Sequence, residues 1–166
     1  MRVGVIADTH GLVRPEALRA LAGVERILHA GDIGGPEVLA ALRTLAPVDA
    51  IRGNVDEPEA IRRRRGRKKP AEDWAASIPA QLDLVLAGHR VHVLHDGKTY
   101  EPGRYEPRPH DVVVSGHSHQ PQIAREHGVL FLNPGSAGPR RFSLPITLAR
   151  LELVAGQPPQ AELVAL

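Results

Sequence analysis

The sequence predicts an α/β fold with two sheets, and three observations lead there. Strand and helix patterns alternate from Val3 to Ile51. The later apolar runs are short and separated by glycine-containing turns. Hydrophobic residues make up 42% and charged residues 24% of the 166, an ordinary globular balance that excludes a wholly disordered chain. In order, Met1 to Ala7 is an apolar run of strand length. Pro15 to Leu21 carries Ala17, Leu18 and Leu21 at helical spacing behind an opening proline. Val24 to Leu28 is a second strand. Pro36 to Leu45 is a second helix, with Val38, Leu39, Leu42 and Leu45 on one face, and Val48 to Ile51 is a third strand. Strand, helix, strand, helix, strand is the pattern of right-handed crossovers and a parallel sheet.

From Pro58 to about Pro79 the periodicity stops. The run Arg62-Arg63-Arg64-Arg65-Gly66-Arg67-Lys68-Lys69 repels itself, which predicts an exposed insertion around 58–79, either plainly solvated or serving as a phosphate-binding arm. Strands then resume at Leu82–Ala87, Val91–Leu94, Val112–Ser115, Pro121–Arg125, Val129–Leu132 and Ile146–Leu153, with Gly88 and Gly128 placed for hairpins in a second, partly antiparallel sheet. Tyr100 to Pro109 holds three prolines and no helical period, so it reads as a loop. No repeat or linker divides the chain, and the expectation is one domain over 1–166.

Composition removes several classes of function. No apolar run approaches the roughly 18 residues of a membrane span. The N-terminus lacks a signal-peptide pattern, so a cytoplasmic chain is expected. Absence of cysteine excludes disulfides, thiolate zinc sites and a cysteine nucleophile. A net charge of +2 is too small to imply nucleic acid by bulk charge, and 3% aromatics gives little for base stacking. Nine histidines in a cysteine-free chain are the one compositional oddity.

Where the polar residues fall is the informative pattern. The strands run into Asp8-Thr9-His10, Gly31-Asp32, Gly53-Asn54-Val55-Asp56, His95-Asp96-Gly97 and Gly116-His117-Ser118-His119. In α/β sheets the loops at the carboxyl ends of strands gather along one edge, where ligands bind. Asp8, His10, Asp32, Asn54, His95, His117 and His119 would meet there. Taken singly, Asp8 has the position of a helix cap, Gly53-Asn54 of a turn and His95 of a core histidine. Together, five strand ends carrying donors have no structural need. Crowded carboxylates require a cation or proton, and oxygen with imidazole but no sulfur suits Mn²⁺, Fe, Ni²⁺ or Zn²⁺. Seven donors exceed one tetrahedral ion and match two, the usual device for phosphoryl displacement.

The order Asp8-x-His10, Gly31-Asp32, Gly53-Asn54, His95, Gly116-His117-x-His119 resembles the calcineurin-like metallophosphoesterase superfamily. With the short length and Asn133-Pro134-Gly135-Ser136, it is similar to the small bacterial and archaeal phosphodiesterase branch (YfcE-type). The resemblance runs from Val3 to about Leu153 and implies an αββα sandwich of two mixed β-sheets flanked by helices. It also implies a cofactor of two divalent ions, manganese foremost. Asp8, His10 and His119 would hold one ion and Asn54, His95 and His117 the other, with Asp32 bridging. Asp32, Asn54 and His117 are the expected catalytic residues. The implied reaction is hydrolysis of a phosphodiester by in-line attack of a metal-bound hydroxide, both ions stabilising the phosphoryl charge.

Three departures bear on the chemistry. Many relatives place histidine after the motif asparagine, where it is thought to protonate the leaving group; here Val55 cannot. Losing a general acid forfeits roughly 10²–10⁴-fold, so diesters of acidic alcohols are expected over unactivated monoesters. Asp96 follows His95 where the branch has glycine, and reads as the start of a turn or as a carboxylate orienting a ligand histidine. The segment Tyr100 to Pro109 is short where relatives carry a helix. Arg140 and Arg141 are candidate grips for a substrate phosphate, and His29 is placed for packing or for a role behind the donors.

Rival readings differ by class. The retromer scaffold subunit resembles the same fold and would make the chain an interaction module, but here every donor position is filled. A metallo-β-lactamase-type hydrolase wants His-x-His-x-Asp-His, and His117-Ser118-His119-Gln120-Pro121 lacks the aspartate. A nucleic-acid phosphodiesterase would use the 62–69 run for grip, with steep salt dependence. The expected substrate is therefore a phosphodiester, small or nucleotide-like, with nucleic acid as a partner through that run. No membrane partner is expected, and nothing opposes a homo-oligomer.

Overall fold

Ten strands form two five-stranded mixed sheets in a computed structural model that describes residues 1–57, 74–101, 110–141 and 143–166. The elements are β1 (Arg2–Ile6), α1 (Pro15–Ala20), β2 (Arg26–His29), α2 (Pro36–Arg43), β3 (Val48–Ala50), β4 (Gln81–Leu86), β5 (His89–Leu94), β6 (Val112–Val114), β7 (Gln122–Glu126), β8 (Val129–Asn133), β9 (Thr147–Glu152) and β10 (Gln160–Ala165). The first sheet has the order β10-β9-β1-β2-β3, with β1, β2 and β3 parallel and β9 and β10 antiparallel. The second has the order β4-β5-β6-β8-β7, its three central strands parallel and each edge strand antiparallel.

Both helices open on a proline, whose fixed φ suits the first helical position and whose missing N–H costs nothing there. Among the described residues both pack on the outer face of the first sheet: Ala17 and Leu21 of the α1 region and Val38, Leu39 and Leu42 of α2 close over Ile6, Ile27 and Leu148. The other face of that sheet meets the second sheet. Val3, Val5 and Leu28 pack there against Val91, Val93, Val112, Val114, Leu130 and Leu132. Buried on both faces, β1 and β2 read as continuous apolar runs rather than alternating ones. The β4–β5 and β7–β8 hairpins turn through Ala87-Gly88 and His127-Gly128, all four residues at positive φ, the twist that two-residue hairpins favour.

Two expectations change. β10 is a strand the sequence reading did not contain. It is an edge strand, mostly exposed, and its partner β9 supplies the hydrogen-bond ladder that defines it. The insertion expected to be exposed over 58–79 splits. The basic run 62–69 lies outside the described residues, but Ala75 is fully buried, Trp74 and Ile78 pack on the helix-side core, and Arg52 N–H donates to Pro79 O at 2.9 Å. The segment Tyr100–Pro109 is largely outside the described residues. Among the described residues, no helix is long and apolar enough to cross a membrane.

Candidate metal centre

The carboxyl ends of β1, β2, β3, β5 and β6 share one edge, and the loops leaving them interlock. After β1 and β2 the backbone continues to pair: Asp8 N–H donates to Gly31 O (3.0 Å), His10 N–H to Asp32 O (2.9 Å) and Gly11 N–H to Ile33 O (2.7 Å). Gly31 sits at φ +89°, and a Cβ there would come within 2.6 Å of His95 Nδ1 and 2.9 Å of Gly53 N. Only glycine lets the β2, β3 and β5 loops close this far.

Six of the seven donors expected from sequence come together. Asp8 is fully buried; its Oδ2 accepts from His117 N–H at 3.0 Å, while Oδ1 has no hydrogen bond and lies 3.4 Å from His119 Nε2. His10 Nε2 stands 3.4 Å from His119 Nε2 and 3.8 Å from Asp32 Oδ2, the two rings stacked at 5.3 Å. Asp32 Oδ1 accepts from Val55 N–H at 2.9 Å and faces His95 Nε2 at 3.4 Å. His117 is exposed, its ring edge-on to His95 with centroids 5.1 Å apart. Asn54 stands at the rim, exposed, on a single 3-10 turn, Asn54–Asp56. Donor atoms of Asp8, His10 and His119 lie within 4.8 Å of one another, as do those of Asp8, Asp32 and His95. Asp8 thus belongs to both groups, and Asp32 reaches both sides through its two oxygens.

The electrostatics ask for a cation. His95 Nδ1 donates to Ala30 O at 2.8 Å, which directs Nε2 at a carboxylate oxygen of Asp32. Buried Asp8 Oδ1, His10 Nδ1, His95 Nε2 and His119 Nδ1 all lack hydrogen-bond partners, and a buried polar group without a partner costs about 1–3 kcal/mol. Burial alone would raise Asp32, yet His95, the Val55 N–H and His10 hold its carboxyl at about 2, so it is ionised. Burial lowers His10, and the charge of Arg141 adds to this. Burial also opposes charge on His95, but Asp32 and the Ala30 carbonyl outweigh it and raise the imidazole. Carboxylate oxygens and imidazole nitrogens without sulfur are a donor set for divalent transition metals.

Backbone strain marks the same residues. Asp8 (φ 53°), His10 (48°), Asp32 (55°), His117 (66°) and His119 (58°) are left-handed, and only two other non-glycine residues described share that region. Such conformations cost about 1–3 kcal/mol each and cluster where function imposes them.

Several residues outside the expected donor set hold or border the site. Asp56 is fully buried and accepts from Ile33 N–H (2.9 Å), Gly34 N–H (2.8 Å) and Gly53 N–H (2.9 Å), tying the β2 loop to the β3 loop. Its burial pushes the carboxyl up despite those three donors. Arg14 donates to Ala137 O (3.1 Å) and Gly138 O (3.0 Å), and Ser136 Oγ donates to Asp8 O (3.0 Å). Asn133 donates to Gly116 O (2.7 Å) and Ser118 Oγ (3.1 Å) and accepts from Gly135 N–H (2.9 Å), so it braces the His117–His119 loop. Asp96 caps the 3-10 turn Gly97–Thr99 by accepting from Lys98 N–H at 3.1 Å, which settles it as a turn residue. His29 does more than pack: Thr9 Oγ1 spends its proton on Ile33 O (2.9 Å), so His29 Nε2–H is the donor to Thr9 at 2.9 Å. Arg140 and Arg141 are exposed and line a small cavity with His119 and Ser136.

Known proteins resemble this chain. A probable metallophosphoesterase of Methanothermobacter thermautotrophicus is 36% identical over 157 residues, covering 87% of this chain and 82% of its own. A novel archaeal phosphodiesterase superposes with TM-score 0.73 at 20% identity over the full length of both chains. Wild-type Vps29 complexed with Zn²⁺ from Entamoeba histolytica superposes with TM-score 0.68 at 23% identity over 99% of each. These two share the fold. The model of the calcineurin-like phosphoesterase superfamily domain matches residues 1–156, a span that contains every donor at the shared sheet edge, and the chain belongs to that superfamily.

Proposed function

We propose that the protein is a phosphodiesterase that works with two divalent metal ions. Asp8, His10 and His119 would hold one ion and Asn54, His95 and His117 the other, with Asp32 reaching both. The observation that carries this reading is the convergence of Asp32 Oδ1 and His95 Nε2, 3.4 Å apart, in a buried edge that also leaves Asp8 Oδ1 without a hydrogen-bond partner. Manganese suits the mixed oxygen and imidazole donors, with Fe, Ni²⁺ and Zn²⁺ as competitors. When bound, two such ions supply Lewis acidity toward phosphoryl oxygens and an activated water.

The chain's own residues do the rest. Asp32 stays ionised and so keeps its ligand form across the working pH range. Arg141 and Arg140 border the site beside His119 and offer guanidinium donors to a substrate phosphate. An open groove beside His117, lined by Lys98, Gln120, Gln122 and Asn133 among others, gives room for the second ester arm of a diester. Val55 stands next to Asn54 with no proton to give, so the leaving alcohol departs unassisted and acidic alcohols are favoured. A small or nucleotide-like diester fits this site.

The test is a metal-by-substrate panel on chelator-stripped protein. Mn²⁺ should restore hydrolysis of aryl phosphodiesters, and Asp32→Asn and His117→Ala should each abolish it. Val55→His should speed diesters of poor leaving groups by about 10-fold or more while changing aryl diesters little. Faster turnover of an alkyl phosphomonoester than of an aryl diester would refute diester preference. Absence of any Mn²⁺ or Zn²⁺ binding would point instead to a scaffold of the same fold.

A further inference from the structure

Five of the nine histidines are not among the strand-end donors, and two of them meet on the far side of the molecule. His92 lies on the outer face of β5, directly across from Asp83 of β4, and His110 immediately precedes the β6 region. The rings of His92 and His110 stack with centroids 4.7 Å apart, and their side chains are only 1% and 2% exposed. Both address one oxygen: Asp83 Oδ1 is 2.9 Å from His92 Nδ1 and 2.7 Å from His110 Nε2. Among the described residues, Leu94, Val113 and Val129 pack on this face against Tyr100 and Phe131.

We propose that Asp83, His92 and His110 form a separate mononuclear Zn²⁺ site that staples the edge strand β4 to β5 and to the entry of β6. Their donor atoms lie within 4.8 Å of one another. Tetrahedral zinc, with bonds of about 2.0–2.1 Å, sets neighbouring donors about 3.3 Å apart, so the three need to part by about half an ångström. Asp83 has the freedom to do so, being 60% exposed on an edge strand. Zinc with three protein ligands takes water in its fourth position.

The geometry around His110 is that of a ligand histidine. Tyr100 Oη lies 3.2 Å from His110 Nδ1 and leaves Nε2 directed at Asp83. An oxygen partner on the second ring nitrogen is how metal-ligating imidazoles are oriented. The His110 ring faces His92, Arg90 and Asp83, and Asp83 supplies the charge that offsets Arg90. Two imidazoles and one carboxylate, without thiolate, favour zinc over softer ions and over the oxygen-seeking Mg²⁺ and Ca²⁺.

The experiment is a Zn²⁺ titration of chelator-stripped protein, comparing the unaltered chain with Asp83→Ala, whose exposed side chain can be removed without opening the core. The unaltered chain should take up one more equivalent than the variant. Because both share the strand-end donors, the difference is independent of what those donors hold. Mn²⁺-supported phosphoesterase activity should be equal in the two. In parallel, ¹⁵N resonances of His92 Nδ1 and His110 Nε2 in the unaltered protein should move on adding Zn²⁺. Equal stoichiometry in the two chains, or imidazole resonances that stay in place at excess Zn²⁺, would overturn the site.

Discussion

His117 offers the sharpest test of the strain at the sheet edge. It sits at φ 66° and is exposed, so its replacement removes little packing. Its one ring contact, edge-on to His95, is lost equally in His117→Ala and His117→Gly. The two variants therefore differ mainly in backbone freedom. A left-handed L-residue pays about 1–2 kcal/mol that glycine does not, and glycine gives back about 0.5–1 kcal/mol through its more flexible unfolded state. His117→Gly should be more stable than His117→Ala by about 0.5–1 kcal/mol, or roughly 2–3 °C in Tm for a chain of this size. Thermal and urea unfolding of chelator-stripped protein would measure it, and both variants should be inactive with Mn²⁺. A glycine variant no more stable than the alanine variant would refute the claim that this loop is held in tension for the sake of its donors.

Two other outcomes follow from the loops behind the donors. Asp56→Ala leaves two buried backbone N–H groups and one partly buried one without an acceptor and should cost about 3 kcal/mol or more. Asp56→Asn keeps an acceptor for some of them and should cost about 1–3 kcal/mol; equal urea midpoints for the two would contradict the bracing role. His29 is buried and protonates only near 3, against an ordinary 6.5. The unfolded chain thus takes up a proton that the folded chain refuses, so stability is complete above about pH 6.5 and falls as pH drops below it. At about pH 5 this amounts to about 2 kcal/mol. His29→Gln should flatten the pH dependence of the metal-free protein by that amount, and an unchanged slope would remove the attribution.

Much of this was legible because the donors end apolar strands. Val3 to Ile6 and Arg26 to His29 are buried on both faces, so their composition announces parallel strands, and the polar residue that follows each stands out. Hairpins at Gly88 and Gly128 were readable for a local reason, the need for positive φ. What escaped depends on contacts between distant residues. Asp56 looked like the tail of a turn, and only the fold shows three N–H groups from two loops converging on it. Arg14 was one arginine among many until Ala137 and Gly138 arrived beside it. β10 is mostly exposed and gains its identity from β9. Asp83, His92 and His110 sit on three separate segments, and no spacing rule connects them.

Asp8, His10 and Asp32 leave the first sheet, whereas His95, His117 and His119 leave the second, with Val3, Val5, Val91 and Val112 packed between the two layers. Any slippage of one layer over the other would pull the donor groups apart at the rim. Trimming a methyl group in the shared interior, far from any reacting atom, should therefore surface as weaker ion affinity before it surfaces as unfolding. The hydrocarbon seam acts as the alignment jig for the chemistry, and neither can drift without the other.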